Sequence, residues 1–149
     1  MYGYVKVGSA VPKLRVADCV YNKEEILKLV EAAAAKQVRV LSFPELSVTG
    51  YTCADLFFQA PLLHAAEQAI QEIAAATEAL NIFLLIGAPI AVDNQMFNCA
   101  VALYKGKLLG IVPKTHIPNY SEFYEERWFA SADDLLTEEI TYAGQNVPI

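Results

Sequence analysis

Seven consecutive residues, Ile82-Phe83-Leu84-Leu85-Ile86-Gly87-Ala88, contain no polar side chain. The run has strand length and falls well short of the ~18–20 apolar residues that a membrane-spanning helix needs. A strand that is apolar on both faces has to be covered on both, which points to a layered α/β structure or to a surface meant for a partner. The flanking segments agree. Val38 to Phe43 is a second short apolar strand that stops at Pro44. Tyr4 to Ala10 with Lys13 to Val16 alternates like a strand interrupted at Pro12. Asn22 followed by Glu25 has the pattern of an N-cap and its capping-box partner, opening a helix with Ile26, Leu27, Val30 and Ala33 on one face and an end near Lys36. Pro61 suits the first turn of a second helix, in which Leu63, Ala66, Ile70, Ile73 and Leu80 fall near helical spacing. Met96 to Tyr104 and Leu108 to Val112 flank Lys105-Gly106-Lys107 and read as a β-hairpin. The expected order is strand, helix, strand, helix, three strands, then aromatic-rich loops. Thr137 to Ile149 reads as a connection between elements.

Composition narrows the function classes. A chain of 149 residues fits one domain that buries roughly two-thirds of its unfolded surface. With 55% apolar and 19% charged residues it is not a disordered segment. Seventeen acids against 11 bases give a net charge of −6, the wrong sign for a nucleic-acid or anionic-membrane binder. Cys19, Cys53 and Cys99 are odd in number and at no metal-binding spacing, which implies neither a disulfide framework nor a metal site. Met1 to Val7 lacks a charged region followed by an apolar one, so the expected location is a reducing cytoplasm.

Charge sits in three places where the pattern wants none. Glu45 follows Val40-Leu41-Ser42-Phe43-Pro44 at the C-terminal end of a strand, the edge of an α/β sheet where ligands bind. A half-buried carboxylate there can act as a general base; it can equally be a cap or a surface residue. Lys114 ends the strand Leu108 to Val112 and can stabilise an oxyanion, or be an exposed loop lysine. Pro118 to Phe129 packs five aromatics and three carboxylates into twelve residues, either a wall for a small polar ligand or a cover for a sheet edge. The three thiols read as buried and non-catalytic, Cys19 and Cys99 in or beside strands. His64 and His116 read as structural or surface residues.

These segments carry a resemblance. Phe43-Pro44-Glu45-Leu46-Ser47-Val48-Thr49-Gly50-Tyr51 is similar to the first catalytic motif of the nitrilase, or carbon–nitrogen hydrolase, superfamily, and Val112-Pro113-Lys114-Thr115-His116-Ile117-Pro118-Asn119-Tyr120 to the second. With Gly50 to Phe57 and Glu122 to Phe129, the ordered set resembles the glutaminase domains of bacterial glutamine-dependent NAD+ synthetases over essentially the whole chain. The resemblance implies part of a four-layer α-β-β-α sandwich, and roles at matching positions. Glu45 would be the general base and Lys114 the oxyanion-stabilising lysine. Glu125 would be a supporting glutamate that orients the lysine and the nucleophile. Tyr51, Tyr120 and Phe123 would lie near the glutamine pocket.

The family's nucleophile is a cysteine in a Cys-Glu-Asp-like motif after a later strand, and these 149 residues contain no such motif. The expectation is therefore that residues 1–149 are the N-terminal part of a glutaminase domain, incomplete at the C-terminus and inactive alone. The implied partners are glutamine, a C-terminal synthetase domain that uses ATP and Mg2+ to amidate deamido-NAD+, and, because a partial sandwich leaves apolar surface open, the missing half or another copy of the chain. No phosphate-cradling Gly-rich loop occurs here, so no cofactor is expected in this part. Two alternatives stay open: another carbon–nitrogen hydrolase (amidase, nitrilase or carbamoyl-amino-acid hydrolase), and a short non-catalytic α/β binding domain.

Overall fold

The computed structural model describes residues 3–149; Met1 and Tyr2, the start of the segment read for a leader, lie outside the described residues. The elements are β1 (Val7–Ser9), α1 (Cys19–Ala35), β2 (Val40–Ser42), α2 (Ala60–Ala76), β3 (Phe83–Val92), β4 (Gln95–Tyr104), β5 (Lys107–Pro113), β6 (Glu139–Tyr142) and β7 (Gln145–Pro148). Five strands form one sheet in the order β1-β2-β3-β4-β5, the first three parallel and the last three antiparallel. The strand order never reverses, so right-handed crossovers bring α1 and α2 to the same face. There they pack on each other, with Ile26 and Val30 of α1 and Ile70 and Ile73 of α2 fully buried. Leu84, Ile86, Ala88 and Ile90 of β3 and Phe97, Val101 and Leu103 of β4 complete that core. The alternate residues Phe83, Leu85, Ala100 and Val112 lie on the other face and stay partly or largely exposed. The chain thus builds one helix layer and one sheet layer, the α-β half of the expected sandwich.

Several local features differ from the sequence reading. Asp18, not Asn22, caps α1, accepting the Tyr21 N–H at 3.0 Å. Asn22 sits inside the helix, fully buried. Its Oδ1 accepts from the Arg15 N–H (2.8 Å), and its Nδ2 donates to the Arg15 and Val48 carbonyls (2.9 Å each). A buried amide has to be satisfied, and here the neighbouring backbone satisfies it more fully than a cap position would. Cys19 accordingly opens α1 instead of lying beside a strand. Only Val7–Ser9 of the first alternating segment pairs. β3 continues past Ala88 to Val92 and turns at Asp93-Asn94, where both residues have positive φ, as in the type I′ turns that match strand twist. Lys105-Gly106 and Ala143-Gly144 repeat that geometry.

The last repeat overturns the reading of Thr137 to Ile149 as a connection. It is a hairpin, β6–β7, packed along β5 and tied to α2 by the Ala143 N–H donating to Glu67 at 2.8 Å. Its strands are four residues long and bury few side chains, chiefly Tyr142 and Val147, which is too short a stretch for alternation to stand out.

Candidate active site

Glu45 leaves β2 at its C-terminal end and enters a tight turn. Leu46, immediately after it, has φ 52°, a left-handed conformation that costs a non-glycine residue about 1 kcal/mol. Complete burial of Leu46 and Val48 offsets that cost, and the Gly50 N–H donates to the Leu46 carbonyl at 2.7 Å. The turn lies over the helix-free face of the sheet, so close to Gly87 of β3 that no side chain fits there: a Cβ would stand 2.4 Å from the Leu46 nitrogen.

Lys114 leaves β5 on the same face. Its backbone N–H donates to the Asn98 carbonyl on β4 at 2.8 Å, extending the ladder by one residue. Its ammonium reaches Glu45 Oε2 at 3.0 Å and Glu125 Oε2 at 3.1 Å. Glu125 opens a short 3-10 turn (Glu125–Arg127) whose N–H donates to the Pro118 carbonyl at 3.1 Å. That aromatic-rich segment is clamped from outside. Asp55 takes two bonds from Arg127 (2.8 and 2.7 Å) and one from the Trp128 indole (3.0 Å). These donors hold its carboxyl near a pKa of about 2. Phe57 stacks edge-on against Trp128 and Phe129 beneath the clamp.

The three charges are unequal in exposure: the side chain of Glu125 is 4% exposed, that of Lys114 24% and that of Glu45 52%. Burial of Lys114 works against its charge, but the two carboxylates outweigh burial and raise its pKa, so it stays an ammonium. Tyr51 donates its hydroxyl to Glu125 Oε1 at 2.5 Å, and burial together with that bond pushes its pKa upward. Asn98 donates its amide to Glu45 Oε2 at 2.8 Å. The cluster stands between two cavities. One, of about 230 Å3, opens on the helix-free face between Glu45, Leu85, Gly87, Asn98, Val112 and Lys114. The other, of about 160 Å3, is walled by Tyr51, Glu122, Phe123, Tyr124, Glu125 and Trp128. An ammonium between two carboxylates, beside an aromatic-walled recess, can stabilise a developing oxyanion while one carboxylate moves protons.

The structure therefore brings together Glu45, Lys114, Glu125 and Tyr51, with Phe123 on the wall of the smaller cavity. Tyr120 stands apart, largely exposed, its ring against Phe123. The thiols are elsewhere. Cys53 is buried and donates to the Thr49 and Gly50 carbonyls. Cys99 gives its backbone to the larger cavity, while strand alternation turns its side chain to the helix side. Burial raises the pKa of Cys19, Cys53 and Cys99 alike, the reverse of what activates a nucleophile. His64 and His116 are exposed and bond to none of the cluster. Sequence reasoning missed Asn98 and Gly87. A lone amide in the apolar run Met96 to Leu103, and a glycine inside a strand, are the signals that mark them.

Comparison with known proteins gives one family and a consistent set of relatives. The family model described as "Carbon-nitrogen hydrolase" matches residues 6–146. The glutamine-dependent NAD(+) synthetase of Mycobacterium leprae is 36% identical over 132 residues, covering 89% of this chain and 19% of that protein. That of Aquifex aeolicus is 34% identical over 125 residues, covering 84% of this chain and 22% of that protein. A crystal structure of a glutamine-dependent NAD(+) synthetase from Cytophaga hutchinsonii superposes with a TM-score of 0.89 at 29% identity, over 97% of this chain and 24% of that one. The chain spans about a fifth of the length of the curated relatives it matches.

Proposed function

We propose that this chain, which belongs to the carbon–nitrogen hydrolase family, is the N-terminal part of a glutaminase domain that supplies ammonia to a glutamine-dependent NAD+ synthetase. The observation that carries the reading is the ammonium of Lys114 held between Glu45 and Glu125, residues that sequence position alone does not relate. In this reading Glu45 takes the proton of a cysteine thiol contributed from outside these 149 residues. The thiolate adds to the side-chain carbonyl carbon of glutamine, and Lys114 neutralises the oxyanion. The C–N bond breaks and ammonia departs with the returned proton. Water, deprotonated by Glu45, then cleaves the thioester and frees glutamate. Glu125 and Tyr51 hold Lys114 in line, and Tyr51 and Phe123 border the glutamine, with Tyr120 set behind Phe123 against its ring.

Ammonia then serves a separate C-terminal synthetase domain, which amidates deamido-NAD+ with ATP and Mg2+. The site of action is the cytoplasm, and the helix-free sheet face associates with the rest of the domain or with a further copy. Among the described residues no helix is long and apolar enough to cross a membrane.

The test uses the full-length polypeptide that carries this segment. It should release ammonia from glutamine and form NAD+ from deamido-NAD+ in the presence of ATP. Glu45→Gln should abolish glutamine-driven synthesis and leave synthesis from added ammonia intact, whereas the 149 residues alone should release no ammonia. Loss of both activities in Glu45→Gln, or ammonia release by the short chain, would refute the assignment.

A further inference from the structure

Asn98 is 3% exposed, on a strand whose neighbours Met96, Phe97 and Cys99 are apolar and buried. A buried amide in that setting costs stability unless its groups are paired. Its pairing is specific: the side-chain Nδ2 donates to Glu45 Oε2 at 2.8 Å, and the backbone carbonyl accepts the N–H of Lys114 at 2.8 Å. One residue therefore ties the Glu45 carboxylate to the main chain that presents Lys114.

Glu45 needs such a tie. Its side chain is half exposed, and its other partner is an ammonium on a flexible stem that is shared with Glu125 at 3.1 Å. If Lys114 swings toward Glu125, or toward a developing oxyanion, Glu45 loses that contact. The backbone of Asn98 is held because β4 is hydrogen-bonded along both edges, to β3 and to β5, and its short side chain is buried. Both donors reach the same oxygen of Glu45. Among the described residues no protein donor reaches Oε1.

We infer that Asn98 is a positioning residue for the glutaminase reaction, anchoring Glu45 through Oε2 so that Oε1 is the oxygen that accepts and returns the proton. The inference rests on the proposed reading of the site, but its physical core, a fixed Asn98–Glu45 bond, stands apart from the substrate.

Two measurements test it. In the full-length polypeptide, Asn98→Ala and Asn98→Asp should each lower kcat for glutamine hydrolysis about 30-fold or more, the scale expected of an ångström-sized misplacement, with KM within about twofold. Asn98→Gln, which keeps the donor and has cavity space for one more methylene, should recover at least about tenfold of that loss. A rise in KM at constant kcat would make Asn98 a substrate contact and overturn the inference, as would full activity in folded Asn98→Ala. Failure of Asn98→Gln to recover activity would overturn it too, because bulk and not the donor would then be what matters. In the 149-residue chain labelled with nitrogen-15, the Asn98 side-chain amide should show a slowly exchanging proton that becomes fast in Glu45→Ala. Unchanged exchange in that variant overturns the inference. If the full-length protein hydrolyses no glutamine at all, the functional reading falls and the amide exchange still decides whether the anchor exists.

Discussion

Gly87→Ala probes how the fold fixes Glu45. The added Cβ would lie 2.4 Å from the Leu46 nitrogen and the Pro44 oxygen, and 2.8 Å from the Glu45 carbonyl carbon. All three are main-chain atoms, so no rotamer change relieves the clash. The Pro44–Leu46 segment has to retreat by about 1 Å to restore ordinary contact. The Gly87 carbonyl also accepts the Val48 N–H (3.2 Å) and the Ser47 hydroxyl (3.4 Å), and the retreat stretches both. Overpacking of this kind costs about 1–3 kcal/mol, which at this chain length lowers Tm by roughly 2–4 °C per kcal/mol. Glu45 moves with its segment. Its Oε2, now 3.0 Å from Lys114 Nζ and 2.8 Å from Asn98 Nδ2, is thereby strained against both donors. A displacement of that size lowers catalysis on the order of 100-fold. Thermal melting of this chain, and kcat for the proposed glutaminase reaction in the longer polypeptide of the proposed function, read the two effects separately. Gly110→Ala is the control: the nearest atoms to its Cβ belong to Pro148 at 3.9 Å, and it should change stability by no more than about 0.5 kcal/mol. If Gly87→Ala melted and turned over like the wild type, close backbone approach would not be what holds Glu45, and the reasoning would fail.

Lys114→Met should destabilise the chain by about 3 kcal/mol in urea, because it strands the buried Glu125; adding Glu125→Gln should recover much of the loss, and an equal loss in the single and double variants would contradict this. Burial, with Cys53 and Asp18 nearby, pushes Cys19 up to about 11, and burial raises Cys53 and Cys99 as well. A thiol reagent at pH 8 should therefore label none of the three within minutes in the native chain and all three in denaturant. Rapid native labelling of Cys53 would show that it is accessible after all. Asp55, held near a pKa of about 2 by Arg127 and Trp128, favours the folded state above its ordinary value of 3.8, and that contribution is lost as pH falls toward 2. Urea midpoints of Asp55→Asn should thus lie below wild type at pH 6 and converge with it as pH falls from 4 toward 2; a gap constant with pH would exclude the ion pair as its cause.

The sequence was informative where one residue's neighbours in the chain are also its neighbours in space. The apolar run at Ile82, most facing residues of the two helices and the Lys105-Gly106 turn were legible because strand and helix periodicity are local, whereas Leu80, which reads as part of the second helix, lies beyond its end at Ala76. Glu45 and Lys114 were legible as charges at the ends of apolar strands, and their motif context gave them a family. Boundaries were less so: Asn22 reads as a cap, yet tertiary hydrogen bonds to Arg15 and Val48 draw it into the helix interior. The terminal hairpin escaped notice because its four-residue strands find their partners in β5 and α2. Composition and spacing settled an α/β chain with a carboxylate and a lysine at strand ends. Only the folded sheet decided that these charges meet, that a buried amide on β4 ties them together, and that Gly87 leaves room for the turn between them. Those facts depend on distances across strands and on which face each pleat presents, and no linear order of residues contains them.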